Sequence, residues 1–61
     1  MQERLTPGMR VRHPAEPDWG IGQVQSAIGN RVTVTFEHAG KKLIDVAVIE
    51  LIPVDDDPPH G

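Results

Sequence analysis

The side chains that could bind a metal ion or attack a substrate are few and widely spaced. The chain has three histidines, His13, His38 and His60, no cysteine, and Ser26 as its single serine. A zinc site needs three or four convergent ligands, and a nucleophilic serine needs a neighbouring base. Neither arrangement is indicated by the spacing. The sequence predicts no metal site, no cofactor and no enzyme activity, and it favours a structural role for His13 at the end of the first strand.

The segment Gly20-Ile21-Gly22 has the glycine spacing of part of a phosphate-binding loop. Such a loop is followed by a helix, and its Walker form includes Gly-Lys-Ser/Thr, which is absent here. We expect instead that these glycines let the second strand bend. Either a positive φ or a close approach of other groups would then forbid a side chain.

Five basic residues are candidates for binding a partner. Arg10, Arg12 and Arg31 occupy the outward positions of two predicted strands, and Lys41 and Lys42 lie at the second hairpin. They are either separately solvated or gathered in one basic stripe. A stripe would suit an acidic protein surface or a phosphate backbone, and the sequence does not choose between them.

Trp19 has two interpretations. It and Phe36 are the only aromatic rings apart from the histidines, so burying the indole would add substantially to a small core. A half-exposed tryptophan beside the proline-rich loop 14–18 would instead be typical of an interface anchor. Two rings are too few for a cage that binds methylated lysine.

The charge of the chain argues against bulk electrostatic binding of nucleic acid. The net charge is −3, and the tail residues Asp55, Asp56 and Asp57 account for all of it, since residues 1–54 carry six basic and six acidic side chains. Nonspecific binding to phosphates requires a surplus of positive charge. The absence of cysteine and of any long apolar run favours a soluble cytoplasmic protein without a membrane segment.

Apolar and polar residues alternate with a period of two, which predicts strands. We expect strands at 9–13, 21–28, 31–36, 42–46 and 51–52, a two-residue turn at Gly29-Asn30, and a tight turn at 47–50. The predicted architecture is an all-β, five-stranded SH3/Tudor-like barrel over 9–54, with a frayed N-terminal lead at 1–8 and a disordered acidic tail at 55–61. The predicted core consists of Val11, Val24, Ile28, Val32, Val34, Phe36, Ile44 and Leu51.

Four segments carry a resemblance to known families: 11–14 (VRHP), 19–24 (WGIGQV), 32–37 (VTVTFE) and 40–44 (GKKLI). Their order resembles the pattern V-x-H-P, aromatic-G-x-G-x-V, V-x-F-(D/E), G-x-K-x-L. This pattern belongs to the Tudor-like C-terminal domain of bacterial superfamily-one DNA repair helicases and, more weakly, to the RNA-polymerase-interacting domain of CarD-type transcription factors and transcription-repair coupling factors. The chain also looks like a family of small bacterial proteins known only as a domain of unknown function.

The resemblance implies a non-enzymatic module that docks onto proteins of bacterial transcription or DNA repair, with RNA polymerase as the partner. Two alternatives stay open: nucleic-acid binding through Arg10, Arg12 and Arg31, and a small structural homodimer, so that the chain would be a monomer or a weak dimer. We expect a partner strand to add to strand 31–37 or 42–46. The predicted partner-binding residues are Arg10, Arg12, Trp19, Arg31, Thr33, Thr35, Lys41 and Lys42.

Overall fold

The computed structural model describes residues 5–54, and they form one antiparallel sheet. Its strands are β1 (Arg10–Arg12), β2 (Ile21–Ile28), β3 (Arg31–Phe36), β4 (Gly40–Asp45) and β5 (Ile52–Pro53), in the spatial order β4-β3-β2-β1-β5. A single 3₁₀ turn at Pro17–Trp19 joins β1 to β2. The predicted all-β class and the five strands are confirmed. No helix in the described part of the chain is long and apolar enough to cross a membrane.

The two central hairpins have glycines where the backbone needs them. Gly29 has a φ of 58° and its neighbour Asn30 does not take a positive φ, so the turn is of the predicted glycine-first kind and sets Ile28 opposite Arg31. In the next hairpin Phe36 lies opposite Gly40, whose φ is 76°. As a result β4 begins at residue 40, two residues before the predicted start.

The sheet is not closed into a barrel, contrary to the sequence-based expectation. Strands β4 and β5 are the two edges, and β5 pairs only with β1 among the described residues. The last strand is two residues long and ends at Pro53, which has no N–H to donate. It is therefore too short to bridge back to β4.

The turn between β4 and β5 is tight, as predicted. The Asp45 carbonyl oxygen accepts hydrogen bonds from the N–H groups of Val48 (3.0 Å) and Ile49 (2.9 Å). Its carboxylate accepts a third from the Ala47 N–H at 3.0 Å. One residue thus organises the whole turn.

The core matches the prediction in seven of its eight side chains. The buried apolar residues are Leu5, Val11, Val24, Val32, Val34, Phe36, Ile44 and Leu51. The predicted core residue Ile28 is 76% exposed. The cause is a bulge in β2: Val24 lies opposite Val34, but the next pair is Ser26 with Thr33. Because β2 has one extra residue at this point, each later side chain of the strand points to the opposite face from the one that simple alternation predicts.

The N-terminal lead is partly packed, which corrects its assignment as a frayed segment for residues 5–8. Leu5 is only 7% exposed, and the Gly8 N–H donates to the Val24 carbonyl oxygen at 2.9 Å. Burial of Leu5 outweighs the cost of ordering this short stretch. The first four residues of the lead and the predicted acidic tail at 55–61 lie outside the described residues.

Candidate functional site

Most of the predicted partner-binding residues lie on the outer face of the sheet. In the register of the strands, Arg10 lies opposite Gln23, Gln23 opposite Thr35, and Thr35 opposite Lys41. Residues opposite one another share a face. A polar row with a cation at each end therefore crosses four strands, while Thr33 lies further along β3.

The arginines do not converge on one stripe. Arg10 and Arg12 are neighbours on β1, whereas Arg31 lies at the far end of β3, opposite Asp45. Lys41 is separated from Arg10 by three strand spacings, or about 14 Å. The positive charge of the outer face is therefore spread over its margins, and one of its cations lies beside a carboxylate.

A groove of about 340 Å³ lies over β1, β2 and β3 on this face. Its lining combines a cation and an anion, Arg10 and Glu37, with the polar side chains of Gln23 and Thr35. Such mixed polarity does not favour a purely anionic ligand. The groove brings together two of the predicted residues, Arg10 and Thr35.

The two predicted residues that do not lie on the outer face, Trp19 and Lys42, meet at one end of the core. The Trp19 ring lies 5.1 Å from the Phe36 ring and 4.8 Å from the His13 ring, in a T-shaped contact with the latter. The Lys42 Nζ is 5.2 Å from the centre of the indole, within the range of a cation–π interaction. Trp19 is thus a half-buried cap on the core with a lysine of β4 over it.

His13 has the predicted structural role. It is 8% exposed, and its Nδ1 accepts a hydrogen bond from the Ala15 N–H at 3.1 Å, fixing the turn after β1. Within residues 5–54 no three histidine, aspartate or glutamate side chains are grouped so that they could hold a metal ion. His60 lies outside this range.

The glycines at the start of β2 have the two predicted constraints. Gly20 has a φ of 78°, and a Cβ there would lie 2.8 Å from the His38 Cδ2 atom. A Cβ on Gly22 would lie 2.4 Å from the Val34 Cγ1 atom. A strand, not a helix, follows Gly20. These glycines therefore allow close packing and do not form a phosphate-binding loop.

Strand β4 is the longer of the two edge strands, and the prediction that strand 31–37 could accept a partner is wrong. Strand β3 is paired with β2 on one side and β4 on the other, so its backbone groups are already used. Strand β4 pairs only with β3 among the described residues and has no proline. It is a six-residue edge with backbone N–H and C=O groups facing outward.

Sequence reasoning missed Leu43 at the centre of this edge. The side chain is 65% exposed, opposite Thr33 on the outer face, between Lys41 and Asp45. The alternation within 40–45 carried the signal, since Lys41 and Lys42 cannot both face outward on one strand. We call the set Lys41, Lys42, Leu43 and Asp45, with the β4 backbone, the β4 edge.

The match of the chain to a family covers the whole described fold. A family model described as "Protein of unknown function (DUF3553)" matches residues 5–54. The chain belongs to this family. No curated protein and no solved structure matches it. The matched range of DUF3553 begins at the buried Leu5 and ends at Val54, whose N–H donates to the Arg10 carbonyl oxygen.

Proposed function

We propose that this DUF3553 domain is a non-enzymatic binding module that docks a protein partner by adding a partner strand to the β4 edge. One observation carries the proposal: β4 is a six-residue strand without proline that pairs on one side only within the described residues. Addition of an extended segment gives affinity through main-chain hydrogen bonds, and the flanking side chains give selectivity.

The side chains of the β4 edge favour an acidic segment with an apolar residue. Lys41 is exposed on the outer face, and Lys42 is held over Trp19 on the other. Leu43 offers an apolar surface on the outer face, between Lys41 and Asp45. Lysines on an edge also discourage uncontrolled strand pairing, so a partner that supplies carboxylates would be selected over an apolar strand.

The proposed partner is RNA polymerase, in bacterial transcription or DNA repair and in the cytoplasm. The support is the resemblance of the VRHP, WGIGQV, VTVTFE and GKKLI segments to the Tudor-like helicase domain and the CarD-type polymerase-interacting domain. The segments overlap β1, β2 and the β3–β4 hairpin, which carries the edge. The polymerase β subunit is the part of the enzyme that we propose to test.

Nucleic-acid binding is less well supported by the geometry. Arg10 and Arg12 are distant from Arg31, and Asp45 lies opposite Arg31 on the neighbouring strand. Contacts to a phosphate backbone require several cations aligned along its path. Such binding would weaken steeply with salt, which makes the two functions separable.

The test is a titration of the full chain with an RNA polymerase β-subunit fragment, with duplex DNA in a parallel series. Lys41→Glu should weaken binding to the fragment about tenfold, since a charge at an interface contributes on the order of 1 to 2 kcal/mol. Arg12→Glu is the matched control, because it makes the same charge change on β1, and it should alter affinity less than about twofold.

Two results would oppose the proposal. Equal losses from Lys41→Glu and Arg12→Glu would place binding on the outer face in general and not on the β4 edge. Tight DNA binding at physiological salt, with no response to the polymerase fragment, would favour the nucleic-acid function instead.

A further inference from the structure

The outer side chains of β4 form a charge pattern that is complementary to itself. Lys41 and Asp45 lie two residues before and two residues after the exposed Leu43, and all three share one face. A strand read in the opposite direction meets the same pattern with its charges exchanged. Such a strand is available on a second copy of this chain.

Antiparallel pairing about a two-fold axis allows only a few registers. Residues directly opposite each other must point their side chains to the same face of the sheet, so the two-fold axis passes through a residue and not between two residues. An axis at Lys42 would set two ammonium groups directly opposite each other, which is unfavourable. An axis at Ile44 would set Leu43 opposite Asp45.

An axis at Leu43 gives the complementary register. It pairs Leu43 with Leu43 of the second copy, and each Lys41 with an Asp45 across the strands. Side chains directly opposite in an antiparallel pair have Cβ atoms about 5 Å apart, close enough for apolar contact and for an ion pair. Both ion pairs and the apolar contact lie on the same face.

We propose that the domain forms a homodimer by antiparallel pairing of β4 with β4 of a second copy, centred on Leu43. The sheet then continues from one copy into the other. Pairing uses the open backbone groups of the edge and covers Leu43, which is 65% exposed in the single chain. It also stabilises a small domain that has a limited core of its own.

The position of Asp45 fits this arrangement. Its side chain accepts the Ala47 N–H at 3.0 Å through one carboxylate oxygen, Oδ1, which fixes the group at the end of β4. Arg31 lies opposite it on the β3 side. Lys41 of the second copy would approach Asp45 from the open side of β4 and bind the other oxygen of its carboxylate. The carboxylate would thus lie between two cations at a position already held by the turn.

The dimer does not depend on the proposed docking function, although both use the same edge. A partner strand and a second copy would compete for β4, so docking would require the dimer to open. Asp45→Lys separates the two proposals. It should weaken the dimer, because it removes the carboxylate that pairs with Lys41 of the second copy. It should not weaken docking of an acidic partner, because it removes a negative charge that would repel that partner.

The experiment is sedimentation velocity of the full chain over a range of concentrations, with Lys41→Asp, Asp45→Lys and their equimolar mixture. The parent should sediment with twice the 6.7 kDa mass of the chain at high concentration. Each single reversal sets like charges opposite each other at both ends and should weaken the dimer at least about tenfold. The mixture restores opposite charges at both ends and should form a heterodimer of nearly parental affinity.

A second measurement locates the interface. In a mixture of isotope-labelled and unlabelled chains, an intermolecular nuclear Overhauser effect should join the Leu43 methyl groups of the two copies.

Asp45→Lys removes the oxygen that accepts the Ala47 N–H. If that variant does not fold, Asp45→Asn can replace it, because asparagine retains this oxygen. It should weaken the dimer less than a reversal does. A monomeric parent, a dimer without the Leu43 contact, or reversals without effect would each overturn the proposal.

Discussion

The ring of Phe36 occupies the space that a side chain on Gly22 would need. The two residues lie opposite each other on β3 and β2, and a Cβ on Gly22 would come within 2.7 Å of the Phe36 Cδ1 atom. The ring in turn contacts Trp19, over which Lys42 of β4 lies. One line of contacts therefore connects the centre of the sheet to its open edge.

Replacing Gly22 by valine should destabilise the domain strongly. The new side chain would overlap Val34 as well as Phe36, both of which are buried. Forcing extra atoms into a densely packed core costs about 3 kcal/mol. Urea titration should show a loss of this size in the free energy of unfolding of Gly22→Val. Gln23→Val, on the neighbouring exposed position, is the control and should change stability by less than about 0.5 kcal/mol. Equal effects would show that Gly22 is not a packing constraint.

Truncating Phe36 should be among the most damaging changes to the core. The side chain is 1% exposed, and Phe→Ala substitutions at such sites cost about 3 to 5 kcal/mol. A domain of this size has a total stability of about 3 to 9 kcal/mol. Thermal melting should therefore show Phe36→Ala largely unfolded, whereas Thr35→Ala melts close to the parent. A Phe36→Ala protein that melts within a few degrees of the parent would contradict the assigned strand faces.

The bulge in β2 makes opposite predictions for two aliphatic residues. Ile28 is 76% exposed and Leu5 is 7% exposed. Ile28→Ala should change the free energy of unfolding by less than about 0.5 kcal/mol, and Leu5→Ala should lower it by about 2 to 3 kcal/mol. Urea titrations of the two variants compare them directly. A larger loss of stability from Ile28→Ala than from Leu5→Ala would mean that the side chains of β2 after the bulge are assigned to the wrong face of the sheet.

The sequence predicted elements whose signals are local. Strand Ile21–Ile28 and the Gly29-Asn30 turn follow from alternation and turn chemistry, and both are present as predicted. The exposure of Ile28 was not predictable in this way, because the bulge is a property of how β2 pairs with β3. Burial of Leu5 likewise depends on packing against distant strands, which a single apolar residue in a polar lead does not signal.

The candidate site was predictable in its residue types but not in its grouping. Alternation places Arg10, Arg12 and Thr35 on an outward face, as the structure has them. Which strand is an edge depends on the spatial order of all five, and β3 proves to be internal. The contact of Lys42 with Trp19 joins residues far apart in the chain, so no local pattern indicated it.

Adjacent lysines on β4 should differ in their effect on stability. Lys42 lies over the Trp19 ring at 5.2 Å, whereas Lys41 is exposed on the other face. Lys42→Ala should lower the free energy of unfolding by about 0.5 to 1 kcal/mol and alter the tryptophan fluorescence of the folded protein. Lys41→Ala is the matched control and, at concentrations at which the chain is monomeric, should change neither quantity. Identical behaviour of the two variants would show that the lysine does not interact with the ring.

Docking at the β4 edge is tested most directly by amide hydrogen exchange of the chain at a concentration at which it is monomeric, residue by residue, with and without the RNA polymerase β-subunit fragment. Added strands bond the open backbone groups, so the amides of Gly40–Asp45 that face outward should exchange more slowly in the complex, at alternate positions. Amides of β1 should change little. Protection confined to Arg10–Arg12 and the outer groove, with β4 unchanged, would contradict strand addition at this edge.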